Sequence, residues 1–115
     1  MPYLRIAANV RCNDEQRAEL LASGTELVST QLGKPVSYVM VHLSDGESLV
    51  FGGSDEPASI VELASLGLPE ERTAELSRAI CELITRVTGI ASDRIYIDFR
   101  SPPRHMWGYD GRTFG

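Results

Sequence analysis

The chain has 115 residues, 43% apolar and 23% charged, which suits a single folded domain and argues against disorder. Eleven Lys and Arg against sixteen Asp and Glu leave a net charge of −5, which disfavours nucleic acid and anionic membranes as partners. No apolar run approaches the ~18 residues of a membrane span, and residues 1–10 lack the basic-then-apolar pattern of a signal peptide.

In chain order, residues 2–10 read as a strand that begins almost at the terminus. Asn13, with Gln16 three places on and Asp14 and Glu15 between, is the start signal of a helix. Two adjacent helical rows follow, Leu20, Gly24, Leu27 and Gln31 beside Leu21, Thr25, Val28 and Leu32, and Gly33 with Pro35 ends them. Residues 36–43 are β-branched and aromatic and predict a strand. Residues 44–57, with Asp45-Gly46 and Gly52-Gly53, predict a loop or hairpin in which 49–51 forms a short edge strand. A third strand is expected over 58–66. Pro69 at the first helical position predicts a second helix, with Ile80, Leu83, Ile84 and Val87 on one face up to Gly89. Residues 94–100 predict a fourth strand, and 101–115 an aromatic, Pro/Gly-rich tail.

The second half repeats the first at a shift of 56 residues. Ala18, Glu19 and Leu20 fall on Ala74, Glu75 and Leu76; Glu26, Leu27 and Gly33 fall on Glu82, Leu83 and Gly89. These identities, without a gap across positions 14–33, favour a duplication over residues 2–45 and 58–101. Each half is then a β-α-β unit with a right-handed parallel crossover. The fold expected is α/β in two layers, a four-stranded main sheet with both helices on one face. The other face, carrying Tyr38 and Met40, predicts a large apolar patch that another copy of the chain covers.

Familiar catalytic and cofactor signatures are absent: no Walker loop, GxGxxG, GxSxG or HExxH occurs. Cys12 and Cys81 lack metal-type or redox spacing and read as packing residues, as His42 reads as a strand histidine. No metal or cofactor is therefore expected. Pro2 stands apart. Loss of Met1 would leave a secondary amine at the head of a strand. An α-amine starts near a pKa of about 8, and enclosure by apolar groups lowers it further, towards that of a working base.

Several short motifs stand in a telling order: Pro2, Gly33-Lys34-Pro35 with Tyr38, Val41-His42, Phe51-Gly52-Gly53-Ser54 with Glu56-Pro57, Ser65-Leu66-Gly67, Ser92-Asp93-Arg94-Ile95-Tyr96-Ile97, and Thr113-Phe114. In this order and spacing, over essentially the whole chain, they resemble the macrophage migration inhibitory factor and D-dopachrome tautomerase family of the tautomerase superfamily. The resemblance implies one tautomerase-like domain over residues 1–115 that assembles as a homotrimer, with active sites between subunits. It implies Pro2 as catalytic base for keto–enol tautomerisation of phenylpyruvate-like 2-oxo acids or dopachrome. Lys34 would bind the substrate carboxylate and Leu66 would contact substrate through its backbone. Tyr96 would come from the adjacent subunit, and Tyr38, Trp107, Tyr109 and Phe114 would wall the pocket.

Two departures from the family pattern matter. Asp98 stands where relatives place a substrate-contacting asparagine, and a carboxylate near Pro2 would favour the protonated amine and repel an anionic substrate. Ala58, Ser59, Ile60 and Val61 occupy the place of a CxxC pair, so thiol-dependent redox activity is not expected. Two rival readings follow from the same resemblance. One is a cytokine-like signalling protein that recognises a receptor; the other is a dehalogenase or decarboxylase, which needs further arginines or acids around the proline. The expected location is cytoplasmic.

Overall fold

Asn13 opens the first helix as its sequence demands: its side chain accepts from the Gln16 N–H at 2.7 Å, and the Gln16 side chain accepts from the Asn13 N–H at 2.9 Å. The computed structural model, which describes all residues 1–115, places this helix α1 over Asp14–Leu32 and the second, α2, over Thr73–Thr88. Four strands form the main sheet: β1 Tyr3–Ala8, β2 Met40–Ser44, β3 Ser59–Ala64 and β4 Ile95–Arg100. Their order is β2-β1-β3-β4, so the chain begins on an interior strand. Pairings β1–β2 and β3–β4 are parallel and β1–β3 is antiparallel, which is the arrangement of two β-α-β units placed side by side.

Both helices lie on one face. Leu4, Ile6 and Ala8 of β1, Val61 and Leu63 of β3, and Ile95 of β4 point into it. Val28 of α1 and Leu76, Ile80 and Ile84 of α2 meet them there. On α1 the buried row is Leu20, Gly24 and Val28, a spacing of four; Leu21, expected beside it, is exposed. Gly24 explains how closely α1 approaches the sheet. A β-carbon there would stand 3.3 Å from Leu4 Cδ2 and 3.5 Å from Val41 Cγ1.

Three expected boundaries shift, two of them at prolines. Pro35, with no N–H and φ of −59°, does not lead directly into a strand: its carbonyl accepts from the Tyr38 N–H at 3.0 Å and makes a tight 3-10 turn over Val36–Tyr38. Strand β2 therefore starts at Met40 rather than at 36. Pro69 lies outside α2, because a 3-10 turn over Glu70–Arg72 intervenes. Strand β3 ends at Ala64, where Ser65-Leu66-Gly67 turns away. The loop 44–57 holds only a single bridge between Phe51 and Ser54, not an edge strand. Within the tail, Gly108–Tyr109 (β5) and Arg112–Thr113 (β6) form a small hairpin that its composition did not announce.

The sheet face away from the helices is not the uniform apolar patch expected. Met40, Ile60 and Tyr96 are exposed there, but the middle is ionic. Arg5 faces Glu62 at 3.9 Å, and Arg100 holds Asp98 at 2.8 Å. Alternation along the strands sends every second side chain to this face, and here those positions carry charge.

Enlarging the residue at the helix–sheet contact tests the packing. Gly24→Leu is expected to lower unfolding free energy by about 1–3 kcal/mol through overpacking against Leu4 and Val41. Urea denaturation measures it, and unchanged stability would show that α1 does not sit this close.

Candidate active site

The first residues are held by the sheet and not frayed. The Pro2 carbonyl accepts from the Met40 N–H at 3.0 Å, and Pro2 is fully buried. Its nitrogen bears Met1, which sits where two clefts meet. One cleft, of about 460 Å³, is lined by Pro2, Tyr3, Tyr38, Met40, His42, Trp107 and Tyr109. The other, of about 620 Å³, is lined by Lys34, Pro35, Tyr38, Leu66, Gly67, Arg104 and Phe114. Met1 and Tyr38 border both, and no carboxylate lines either.

Each of these side chains arrives by a local cause. Gly33 takes the left-handed conformation, φ 64°, that ends α1, which a β-carbon would disfavour. Lys34 follows it, its N–H bonded to the Ser29 carbonyl at 3.0 Å and its carbonyl accepting from Ser29 Oγ at 2.5 Å. One serine thus fixes the Lys34 backbone on both sides. The turn after Pro35 then swings Tyr38 to the clefts. There Tyr38 meets Tyr109 edge-on, ring centroids 6.1 Å apart, and Tyr109 stacks on Phe114 at 5.7 Å. The tail is tied down by the Phe114 N–H to the Trp107 carbonyl, 3.2 Å, and by Arg104 Nε to the Phe114 carbonyl, 3.0 Å.

The electrostatics at this junction favour a neutral amine. The Met1 amine lies below its ordinary 8.0, first because partial burial disfavours the ammonium, then because Lys34 and Arg104 repel it. Among the residues around the clefts, Arg104 carries no signal in the sequence. Only its place in the tail turn, next to the hairpin, brings it to Lys34; the spacing of 70 residues carries no signal.

Pro2, Lys34, Tyr38, Leu66, Trp107, Tyr109 and Phe114 are gathered at one end of the sheet. Tyr96 and Asp98 are not. Tyr96 pairs across Ile60 with Ala7, two strands over and five residues along from Pro2, a separation on the order of 20 Å. It packs on Phe51, centroids 4.5 Å apart. Asp98 is also two strands away. Within the chain its carboxylate is paired: Arg100 Nε and a terminal guanidinium nitrogen both reach Asp98 Oδ2, at 3.0 and 2.8 Å, and balance its charge.

Arg94 organises the Tyr96 end. Its guanidinium donates to the carbonyls of Phe51 (2.7 Å), Ser54 (3.2 Å), Glu56 (3.0 Å) and Pro57 (3.3 Å), and it lies 5.0 Å from the Phe51 ring centroid. Asn9 Nδ2 donates to two further carbonyls of the same loop, those of Leu49 and Asp55, and shares that of Glu56. No group of three or more His, Cys, Asp or Glu side chains is placed to hold a metal ion. The hollows along the helices contain none of the candidate residues.

The family model described as macrophage migration inhibitory factor (MIF) matches residues 1–115. A macrophage migration inhibitory factor homolog of Trichuris trichiura is 36% identical over 115 residues, covering 99% of this chain and 100% of the relative. The Xenopus tropicalis protein is 30% identical, with 99% of each covered. Among solved structures, the homologue from Prochlorococcus marinus superposes with a TM-score of 0.93 at 38% identity, covering 98% of this chain and 99% of that one. The Trichinella spiralis protein superposes with a TM-score of 0.90 at 31% identity, covering 97% and 99%.

Replacing Arg94 tests its hold on the loop. Arg94→Met removes the donors to four carbonyls while keeping the chain length, and amide hydrogen exchange over residues 51–57 is expected to quicken about tenfold or more. Unchanged protection would mean that Asn9 and the turn alone order the segment.

Proposed function

The chain belongs to the macrophage migration inhibitory factor family, of the tautomerase superfamily, and we propose that it is a keto–enol tautomerase of phenylpyruvate-like 2-oxo acids, dopachrome being a further substrate. The observation that carries this reading is a fully buried Pro2, locked to β2, whose nitrogen opens on clefts lined by cations and aromatic rings and by no acid.

With Met1 attached, the Pro2 nitrogen is an amide and has no basic lone pair. Removal of Met1 converts it to a secondary amine and vacates the junction of the two clefts. The neutral amine takes a proton from C3 of the 2-oxo acid; the C–H electron pair becomes the C2=C3 double bond, and the carbonyl oxygen gains negative charge. The Pro2 ammonium returns the proton to that oxygen, giving the enol, and the reverse sequence gives the ketone. Lys34 holds the carboxylate and stabilises the charge that develops beside it. The backbone at Leu66 positions the substrate, and Tyr38, Trp107, Tyr109 and Phe114 pack on its hydrocarbon part and exclude water.

In this reading the protein is a homotrimer. A neighbouring subunit brings Tyr96 to Pro2, since one chain holds the two on the order of 20 Å apart, and Asp98 with its Arg100 partner comes alongside. Arg100 then moderates the repulsion that a bare carboxylate would exert on an anionic substrate. Receptor recognition is a second reading, favoured by the names of the relatives, and it uses the same fold without needing a basic Pro2.

The tautomerase reading has direct tests. Intact mass is expected to show loss of Met1, and Pro2→Gly to cut the rate of enol-phenylpyruvate loss about tenfold or more while sedimentation still reports a trimer. Undiminished turnover would remove Pro2 from the mechanism, and no turnover by the unaltered protein would favour receptor recognition. The pH profile of kcat/KM should rise as Pro2 loses its proton, with a midpoint below the ~8 of an ordinary α-amine. Lys34→Gln removes a charge that disfavours the ammonium, so the midpoint should move upward. A midpoint that stays in place would show that burial and Arg104 set it without Lys34.

A further inference from the structure

Cations on this protein are generally neutralised in place. Arg5, Arg17, Arg72, Arg86, Arg100 and Arg112 each have a carboxylate at 2.7–3.9 Å. Arg94 is occupied by loop carbonyls. Arg11 and Arg78 also lack a carboxylate partner but line neither cleft, whereas Lys34 and Arg104 line the same one, where no carboxylate of the chain lies in reach of either.

Arg104 is also aimed. Its Nε is committed to the Phe114 carbonyl at 3.0 Å, which fixes the plane of the guanidinium and leaves its terminal nitrogens as free donors. The opposite cleft is rich in aromatic and apolar side chains, with Met40, Trp107 and Tyr109, and it meets the cationic one at Met1 and Tyr38. A ligand spanning both would put its hydrocarbon among the rings and its anionic end between two unpaired cations. A single carboxylate leaves one of those cations uncompensated; two anionic groups satisfy both.

We propose that this cleft selects 2-oxo acids carrying a second anionic group within a few atoms of the first, Lys34 taking one and Arg104 the other. The inference rests on the tautomerase reading of the site and narrows its substrate class. Arg104 is then a specificity residue, close enough that its charge, like that of Lys34, is felt by the terminal amine.

A matched pair of ligands tests it. Benzylmalonate and 3-phenylpropanoate share a phenyl ring and differ by one carboxylate. Above neutral pH, calorimetric titration and competition against phenylpyruvate are expected to show benzylmalonate binding about tenfold or more tightly. In Arg104→Gln that preference should collapse towards equality, and Arg104→Lys, which keeps the charge, should restore part of it. Equal affinities for the unaltered protein, or a preference that survives Arg104→Gln, overturn the proposal. The comparison on the unaltered protein decides the matter even if a variant fails to fold. Absence of phenylpyruvate turnover would sink the tautomerase reading while leaving the calorimetric comparison readable, so the two failures are distinct.

Discussion

A single backbone contact, the Pro2 carbonyl accepting from the Met40 N–H, has consequences throughout this molecule. It extends the β1–β2 pairing to the residue before the strand and makes the head of the chain part of the sheet. Chain ends are ordinarily mobile, and a mobile nitrogen cannot hold a defined position against a substrate. Because β1 lies inside the order β2-β1-β3-β4, the nitrogen also starts from a place already dry on its helix side. Burial of that kind lowers the pKa of an amine before any specific charge is added.

The elements that finish the site are the least regular in the chain. The left-handed Gly33 and the Ser29 clamp set Lys34; the turn after Pro35 sets Tyr38; the Leu66 turn and the tail hairpin close the remaining sides. Regular strands and helices supply rigidity, while loops supply the reach by which residues distant in sequence converge. The tail deserves its aromatic content on this account. Phe114 stacked on Tyr109, and Tyr109 set edge-on against Tyr38, turn an otherwise loose segment into a wall.

The uncovered sheet face carries the second half of the problem. Its rows of Arg5 with Glu62 and Asp98 with Arg100 keep it from being a simple sticky surface, and its exposed Met40, Ile60 and Tyr96 supply apolar area between. A mixed face of this kind suits an interface whose register is chosen by charge. The Arg94 hub at its edge holds Phe51 against Tyr96, so the Tyr96 ring is set within the single chain.

Sequence alone determined the elements whose causes are local. The Asn13–Gln16 capping pair, the Gly33 stop and the period of α2 are contacts within a few residues, and the duplicated pattern implied two β-α-β units in one four-stranded sheet. The prolines misled for an equally physical reason: a fixed φ suits a helix start or a 3-10 turn alike, and the next hydrogen bond decides which, as at Pro35 and Pro69. Pro2, Lys34 and the wall residues were legible through family motifs rather than through their own chemistry. Only the tertiary structure could seat Arg104 beside Lys34, pair Asp98 with Arg100, and separate Tyr96 from Pro2 within one chain. Those relations depend on distances between elements, which one-dimensional spacing does not encode.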